Sequence, residues 1–318
     1  MANIKEIQDR IKSVQDTMKI TNAMYMISSN KLRKAKKALE QTEPFFFGLQ
    51  SLISRVVRHL PPETKHIFLE TFEDIPFEKR RKAYMVITDD KGLAGAYNHN
   101  VLKLAEKHMK EDGDNYKLYV VGELGRQYFT NKGISIDEEF RYTAQNPTLS
   151  RARHITGKIL DDYFSGDVQE VYIIYTRVKN SIVSETLIQK LLPLEIIAQA
   201  KDASNNKVTG VGVYNEEFLM EPSPEAVLDN IVPNYIDGFI YGALVESYCA
   251  VQNSRMMAMD TANKSAGSMI HDLSIMYNRE RQARITQEIT EVVSGAKALK
   301  HSQEVLKKMQ SQTEEALQ

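Results

Sequence analysis

The sequence predicts an α/β protein in which a long antiparallel coiled coil of the N- and C-terminal helices carries a central Rossmann-like α/β domain. Three observations carry this. Residues 4 to 60 place apolar or small side chains at alternating spacings of three and four without a break. The stretch from Ser223 to about Lys308 reads as one helix, with no proline after Pro233. Between them the period changes to short β-branched and aromatic runs separated by helical segments, the pattern of a parallel α/β sheet. The expected division is 1–60 and 223–318 for the coiled-coil shaft and 61–222 for the central domain.

In the first segment the seam runs Ile4, Ile7, Ile11, Val14, Met18, Thr21, Tyr25, Ser28, Leu32, Ala35, Leu39, Thr42, Phe46, Leu49, Ile53, Val56 and Leu60. Such a narrow stripe belongs to a left-handed supercoil. Thr21 and Ser28 weaken its packing but let the backbones come close. Pro44 removes a backbone hydrogen bond and is expected to bend the helix near 39–43.

Short strands follow at Tyr84 to Thr88, Leu118 to Val121, Ile134 to Ile136 and Val171 to Thr176, with helices near 99–110, 123–132 and 148–165. Asn180 offers a turn into a last, antiparallel strand within Val183 to Leu194. Residues 202–212 are polar and Gly-rich and read as a loop.

The C-terminal helix opens on Ser223 as cap, Pro224 in the first turn and Glu225 facing the positive end of the helix dipole. A helix of roughly 75 residues would be ~110 Å long, a shaft that needs a partner for its apolar stripe. Its seam is read as Met259, Ala262, Ala266, Met269, Leu273 and Met276, interrupted at Glu280. Two seams at opposite ends of one chain suggest an intramolecular antiparallel pair. A dimer of either helix is the alternative, since a seam does not choose its partner.

Composition narrows the function classes. The 318 residues carry 41 basic and 42 acidic side chains, so no global field points to nucleic acid or an anionic membrane. The single cysteine, Cys249, excludes an intrachain disulfide and a Cys-rich metal site. The N-terminus lacks a signal core, and no run approaches the ~20 apolar residues that span a bilayer. The chain is expected to be soluble, reaching a membrane only through a partner.

Sites for chemistry are sparse. Thr88-Asp-Asp-Lys-Gly-Leu-Ala-Gly-Ala-Tyr-Asn98 is a Gly-containing strand-to-helix loop, but its spacing fits neither the dinucleotide fingerprint nor the phosphate loop. It reads as a tight turn with Asp89 and Asp90 bonding local backbone, and nucleotide binding is the alternative. The seven histidines show no metal-ligand spacing. Lys31, Arg33, Lys34, Lys36 and Lys37 form a basic turn, either a solvated face or a site for an acidic partner. Met24, Met26, Met256 and Met257 fall off the seam, as if another protein enclosed the pair.

Several stretches, in order, resemble the γ subunits of bacterial F-type ATP synthases. They are Ile285-Thr-Gln-Glu-Ile-Thr-Glu-Val-Val-Ser-Gly-Ala-Lys-Ala298, Tyr277-Asn-Arg-Glu-Arg-Gln-Ala283, Ser254-Arg-Met-Met-Ala-Met259, Ile11 to Met26, Ser29 to Ala35, and the loop Asp89 to Asn98. The resemblance implies a non-catalytic rotor shaft with no cofactor or metal, one copy per complex. It would stand inside a hexamer of α and β subunits, with its α/β domain against ε and the membrane ring of c subunits. It would lie at the cytoplasmic face of the cell membrane and couple ring rotation and ion transport to ATP synthesis or hydrolysis on β.

Carried over by position, Met24, Lys31, Arg33, Lys34, Arg255, Arg281, Gln282, Thr286 and Glu288 would contact β, and Ile289, Val292 and Val293 would turn in an upper bearing. Ala94 and Ala96 stand where that family usually has cysteine and glycine, and the chain continues past Leu299, where most relatives stop. That tail is expected to extend the helix or fray. A freestanding coiled-coil adaptor with an α/β head is the second reading, and a nucleotide-dependent enzyme the third.

Overall fold

The computed structural model describes residues 4–60, 66–69, 72, 75–76, 79–113, 115–137, 139–180, 183–194 and 220–315, with side chains described as far as 303. The elements are α1 (Ile4–Arg58), β1 (Lys82–Ile87), α2 (Tyr97–Glu111), β2 (Tyr116–Val121), α3 (Glu123–Asn131), α4 (Leu149–Phe164), β3 (Glu170–Val178), β4 (Ser184–Leu192) and α5 (Pro224–Glu315). The expected loop at 202–212 lies outside the described residues.

The sheet order is β2-β1-β3-β4, parallel except for the antiparallel β3–β4 pair. Side chains of β1 part by the period of two. Ala83, Met85 and Ile87 join a core with Ile155 and Ile159 of α4, Val232 and Ile236 of α5, and Ile53 and Val56 of α1. Tyr84 and Val86 join the opposite core with Val101 and Ala105 of α2 and Phe129. Both faces are covered, which is why β1 after Lys82 reads as an unbroken apolar run.

The expected strand at Ile134 to Ile136 does not form. Gly133, at φ 71°, turns the chain at the end of α3, and the following residues dock through Ile134 N–H to Phe129 O, Asp137 N–H to Leu118 O and the side chains of Ile134 and Ile136 on the second core, with no ladder. Three residues after a helix stop leave too little chain for a ladder.

α1 runs unbroken through Pro44, and each seam position named above is buried or half-buried. Its partner is α5 of the same chain. Phe46 packs on Gly238 and on Tyr241, whose ring centroid is 6.3 Å away, while Lys36, earlier in α1, lies near Cys249, later in α5, so the helices are antiparallel. Thr21 donates to the side chain of Asn263, whose amide donates to Asn22 at 3.1 Å. Ser223 caps α5 as expected, its hydroxyl accepting from the Ala226 N–H at 3.2 Å.

The seam of α5 is shifted by one residue in part of its length. Met269 and Met276 are 44% and 48% exposed, and the half-buried positions beside them are Ile270 and Tyr277. Stepping four-three-four from Ala266 satisfies a coiled-coil repeat as well as three-four-three, and both paths meet apolar residues.

Contacts divide the chain into two compact units, residues 1–23 with 259–318, and residues 24–258. The expected boundaries at 60 and 223 follow helix ends. The contacts divide within both long helices, because Ala35 to Val56 of α1 and Leu228 to Cys249 of α5 belong to the core of the sheet.

Candidate functional site

In the unit of residues 24–258, the loop after β1 is held on three sides. Asp89 donates its N–H to Asn98 Oδ1 at 2.9 Å and accepts the Leu124 N–H on its carbonyl at 3.1 Å. One carboxylate oxygen takes the Asp90 N–H at 2.9 Å, and the other pairs with Arg255 of α5. Burial pushes the Asp89 carboxyl above its usual range, while Arg255 and the Asp90 N–H oppose that shift. Asp90 accepts the Glu123 N–H at 3.1 Å at the start of α3, the Thr143 hydroxyl, and the N–H groups of Ala144 and Gln145 at 3.1 and 3.3 Å. The two aspartates thus bond local backbone, as the sequence suggested. Their reach to α3, to 143–145 and to α5 was not legible.

This loop closes one side of a particular place. The connection after β1 leads to β2 and that after β3 leads to β4 on the other side, so the crevice at the C-terminal ends of β1 and β3 is the switch point where open α/β sheets hold ligands. Here α5 fills that crevice. Ser247 accepts the Thr176 N–H at 3.3 Å, and Ala250 and Val251 pack with Tyr97, Val86 and Ile174. The Ser254 carbonyl lies against Gly95, and Arg255 donates to Asp89 and, at 3.4 Å, to the carbonyls of Lys91 and Gly92. The rest of the fold is shaped to this closeness: at Gly122, φ 94°, a Cβ would collide with the Thr88 carbonyl.

Burial along α5 passes through three regimes. From Ile240 to Asn253 nearly every position is buried, from Ser254 to Glu280 one side is, and from Arg281 to Gln303 every residue is exposed. The residues expected to meet partners are distributed accordingly. Lys31, Arg33 and Lys34 are exposed on α1, Met24 is half-buried, and Met26 is 68% exposed. Lys31 and Lys34 line a cavity of about 220 Å³ with Tyr241, Val245 and Tyr248. Arg255 is turned into its own chain. Arg281, Gln282, Thr286 and Glu288 are exposed on α5, Glu288 paired with Arg284 at 3.1 Å and the Thr286 hydroxyl bonded to the Gln282 carbonyl at 2.9 Å. Ile289, Val292 and Val293 are 59%, 72% and 48% exposed, apolar side chains left largely open among the described residues. Among the described residues, no helix is long and apolar enough to cross a membrane.

A family model described as ATP synthase matches residues 3–299. The ATP synthase gamma chain of Ruminiclostridium cellulolyticum is 43% identical over 297 residues, covering 93% of this chain and 99% of its own length. A gamma chain described as sodium ion specific, from Acetobacterium woodii, is 37% identical over 305 residues, covering 93% and 99%. Among solved structures, a chain of the Euglena gracilis mitochondrial ATP synthase, from a structure of its OSCP, F1 and c-ring, matches with a TM-score of 0.59 at 14% identity, over 93% of this chain and 94% of that one. A chain of the Tetrahymena thermophila central stalk and c-ring matches with a TM-score of 0.54 at 22% identity, over 76% and 99%.

Proposed function

The chain belongs to the ATP synthase gamma-chain family, and on that premise we propose how it works as the central-stalk rotor of an F-type ATP synthase. It couples rotation of the membrane c-ring to ATP synthesis or hydrolysis on the β subunits, as part of a membrane-associated complex. It carries out no catalysis itself and sits once per complex at the cytoplasmic face of the membrane, with ε and the c-ring against the α/β domain.

The observation that supports this best is the run of α5 from Arg281 to Gln303, exposed on every side yet carrying Ile285, Ile289, Val292, Val293 and Leu299. An amphipathic helix bare all round is stable in water only at a cost in exposed apolar surface, which a sleeve of α and β subunits would cover. Ile289, Val292 and Val293 form the upper bearing there, where apolar contact gives few directional bonds to break on each turn. Arg281, Gln282, Thr286 and Glu288 supply polar contacts to β below it.

A single shaft in a three-fold stator presents a different face to each β subunit. Such a face changes a β conformation only through contacts that differ between states. Met24 and the basic turn of Lys31, Arg33 and Lys34 are the face offered to acidic segments of β. Arg255 contributes from behind that face, through the loop it holds.

The test is coexpression with cognate α and β subunits. The chain alone should hydrolyse no ATP, while the purified complex should hydrolyse it with this subunit rotating, visible from a probe fixed to the α/β domain. Failure to enter the complex would overturn the reading.

A further inference from the structure

We propose that Arg255 and Asp89 form the angular key of the rotor, the contact that fixes α5 about its own axis in the crevice of the α/β domain. The proposal rests on the rotor reading. Packing around Ala250 and Val251 keeps α5 in the crevice, but apolar burial is non-directional and tolerates a helix turning in its socket. Transmission of torque needs contacts that depend on angle. Among the described residues, the polar contacts of α5 that qualify include Asp237 with Arg153 at 3.5 Å, Glu246 with Arg177 at 3.5 Å, the 65% exposed Asp229 with His66 at 3.2 Å, Ser247 with the Thr176 N–H, and Arg255 with Asp89.

The first two include arginines that are 62% and 49% exposed, and water screens them. The Arg255 and Asp89 side chains are only 11% and 6% exposed. Charge-assisted hydrogen bonds in so dry a place are strong and directional. The acceptors are also anchored: Asp89 is tied to Asn98, Leu124 and Asp90, and the Lys91 and Gly92 carbonyls complete a pocket for one guanidinium. Rotating α5 by one residue position, ~100°, would withdraw Arg255 and leave Asp89 buried without its countercharge, which strongly opposes the turn. The switch-point crevice of the sheet is thereby used to grip a helix. Arg255 is a positioning residue in this role, acting on β through the angle of the shaft.

The experiment uses the whole complex in proteoliposomes, with Asp89→Asn, Arg255→Gln, their double variant, and Arg255→Lys. Two quantities are read: ions pumped per ATP hydrolysed against an imposed gradient, and amide hydrogen exchange at 89–95 and 250–257. Each neutral variant should pump several-fold fewer ions per ATP hydrolysed against the gradient, and exchange about tenfold faster in both segments together. The double variant should be no worse than either single one, as expected for a pair acting as a unit. Arg255→Lys, which keeps the charge but replaces the planar guanidinium with a compact ammonium, should lie between.

Unchanged exchange and pumping in the neutral variants, or strictly additive losses, would overturn the key. Failure of the rotor reading looks different, since the unaltered chain would then give no coupled pumping. If Asp89→Asn does not assemble, Arg255→Lys alone decides: wild-type pumping and exchange would refute the role of the guanidinium.

Discussion

At the scale of single residues, the interior of the domain depends on a few charges and one close approach. Lys117 meets Asp162 at 2.8 Å and Asp167 at 3.1 Å, and Tyr119 also bonds Asp162. Burial alone would raise the Asp162 carboxyl, but the bonds from Lys117 and Tyr119 outweigh it and hold it below the usual range. Lys117→Met removes the nearest cation from both carboxylates, leaving among the described residues only Lys158 at 3.9 Å for Asp162 and the half-exposed Arg81 at 3.4 Å for Asp167, and should cost about 2 kcal/mol in chemical denaturation at pH 7. Because the folded-state value of Asp162 is lowered, its contribution is complete above the ordinary carboxylate value of about 4 and fades as pH falls through the folded value. The gap between wild type and variant should therefore close below about pH 4. Gly238 tests packing. Alanine there would gain ~1 kcal/mol in helix propensity, yet its methyl would enter the ring of Phe46. Overpacking costs ~1–3 kcal/mol, so Gly238→Ala should lower Tm, and adding Phe46→Leu should restore part of the loss. Neither feature shows in sequence pattern, nor does the pairing of Arg255 with Asp89 across 166 positions.

At the scale of elements, periodicity was a sound guide wherever an element has one wet side. The seam of α1 is visible because a single stripe is covered, and α2, α3 and α4 lie close to their expected spans. The slip at Met269 and Met276 arises where two heptad paths both meet apolar side chains, so hydrophobicity does not choose between them. The burial of α5 in the crevice was hidden for the opposite reason: a helix covered on all sides shows no stripe, and its pattern does not name the surface that covers it. The basic turn of α1 gives the prediction at this scale. Lys31, Arg33 and Lys34 are exposed, so replacing all three by glutamine should leave the stability of the chain within about 0.5 kcal/mol. Complementary charge chiefly sets encounter and register. Association with β, followed by stopped-flow fluorescence at several salt concentrations, should slow about tenfold at low salt and lose most of its salt dependence. A wild-type salt profile would assign the turn to solvent.

At the scale of the whole molecule, the region past Leu299 separates what folding requires from what coupling requires. The family model ends at 299, and the relatives described above match over 99% of their own length while leaving part of this chain unmatched. α5 nevertheless continues as helix to Glu315. The expectation that the tail extends the helix agrees with this. From Arg281 to Gln303 every residue is exposed among the described residues, so turns beyond this stretch are expected to contribute little to the stability of the folded chain. Val305, Leu306 and Met309 are the only apolar side chains among residues 300–315 larger than alanine, too few to sustain the stripe that Ile285, Ile289 and Val292 present. Ending the chain after Leu299 should accordingly leave Tm within about 1 °C, since surface changes of this kind are worth within about 0.5 kcal/mol. Assembly with α and β, and rotation during hydrolysis, should be retained, because the contact residues from Arg281 to Val293 remain. Gel filtration of the reconstituted complex and single-molecule rotation assays check the two halves of that expectation. Loss of either would mean that the added turns form part of the bearing, and the working surface of α5 would then extend beyond the limit shared with its relatives.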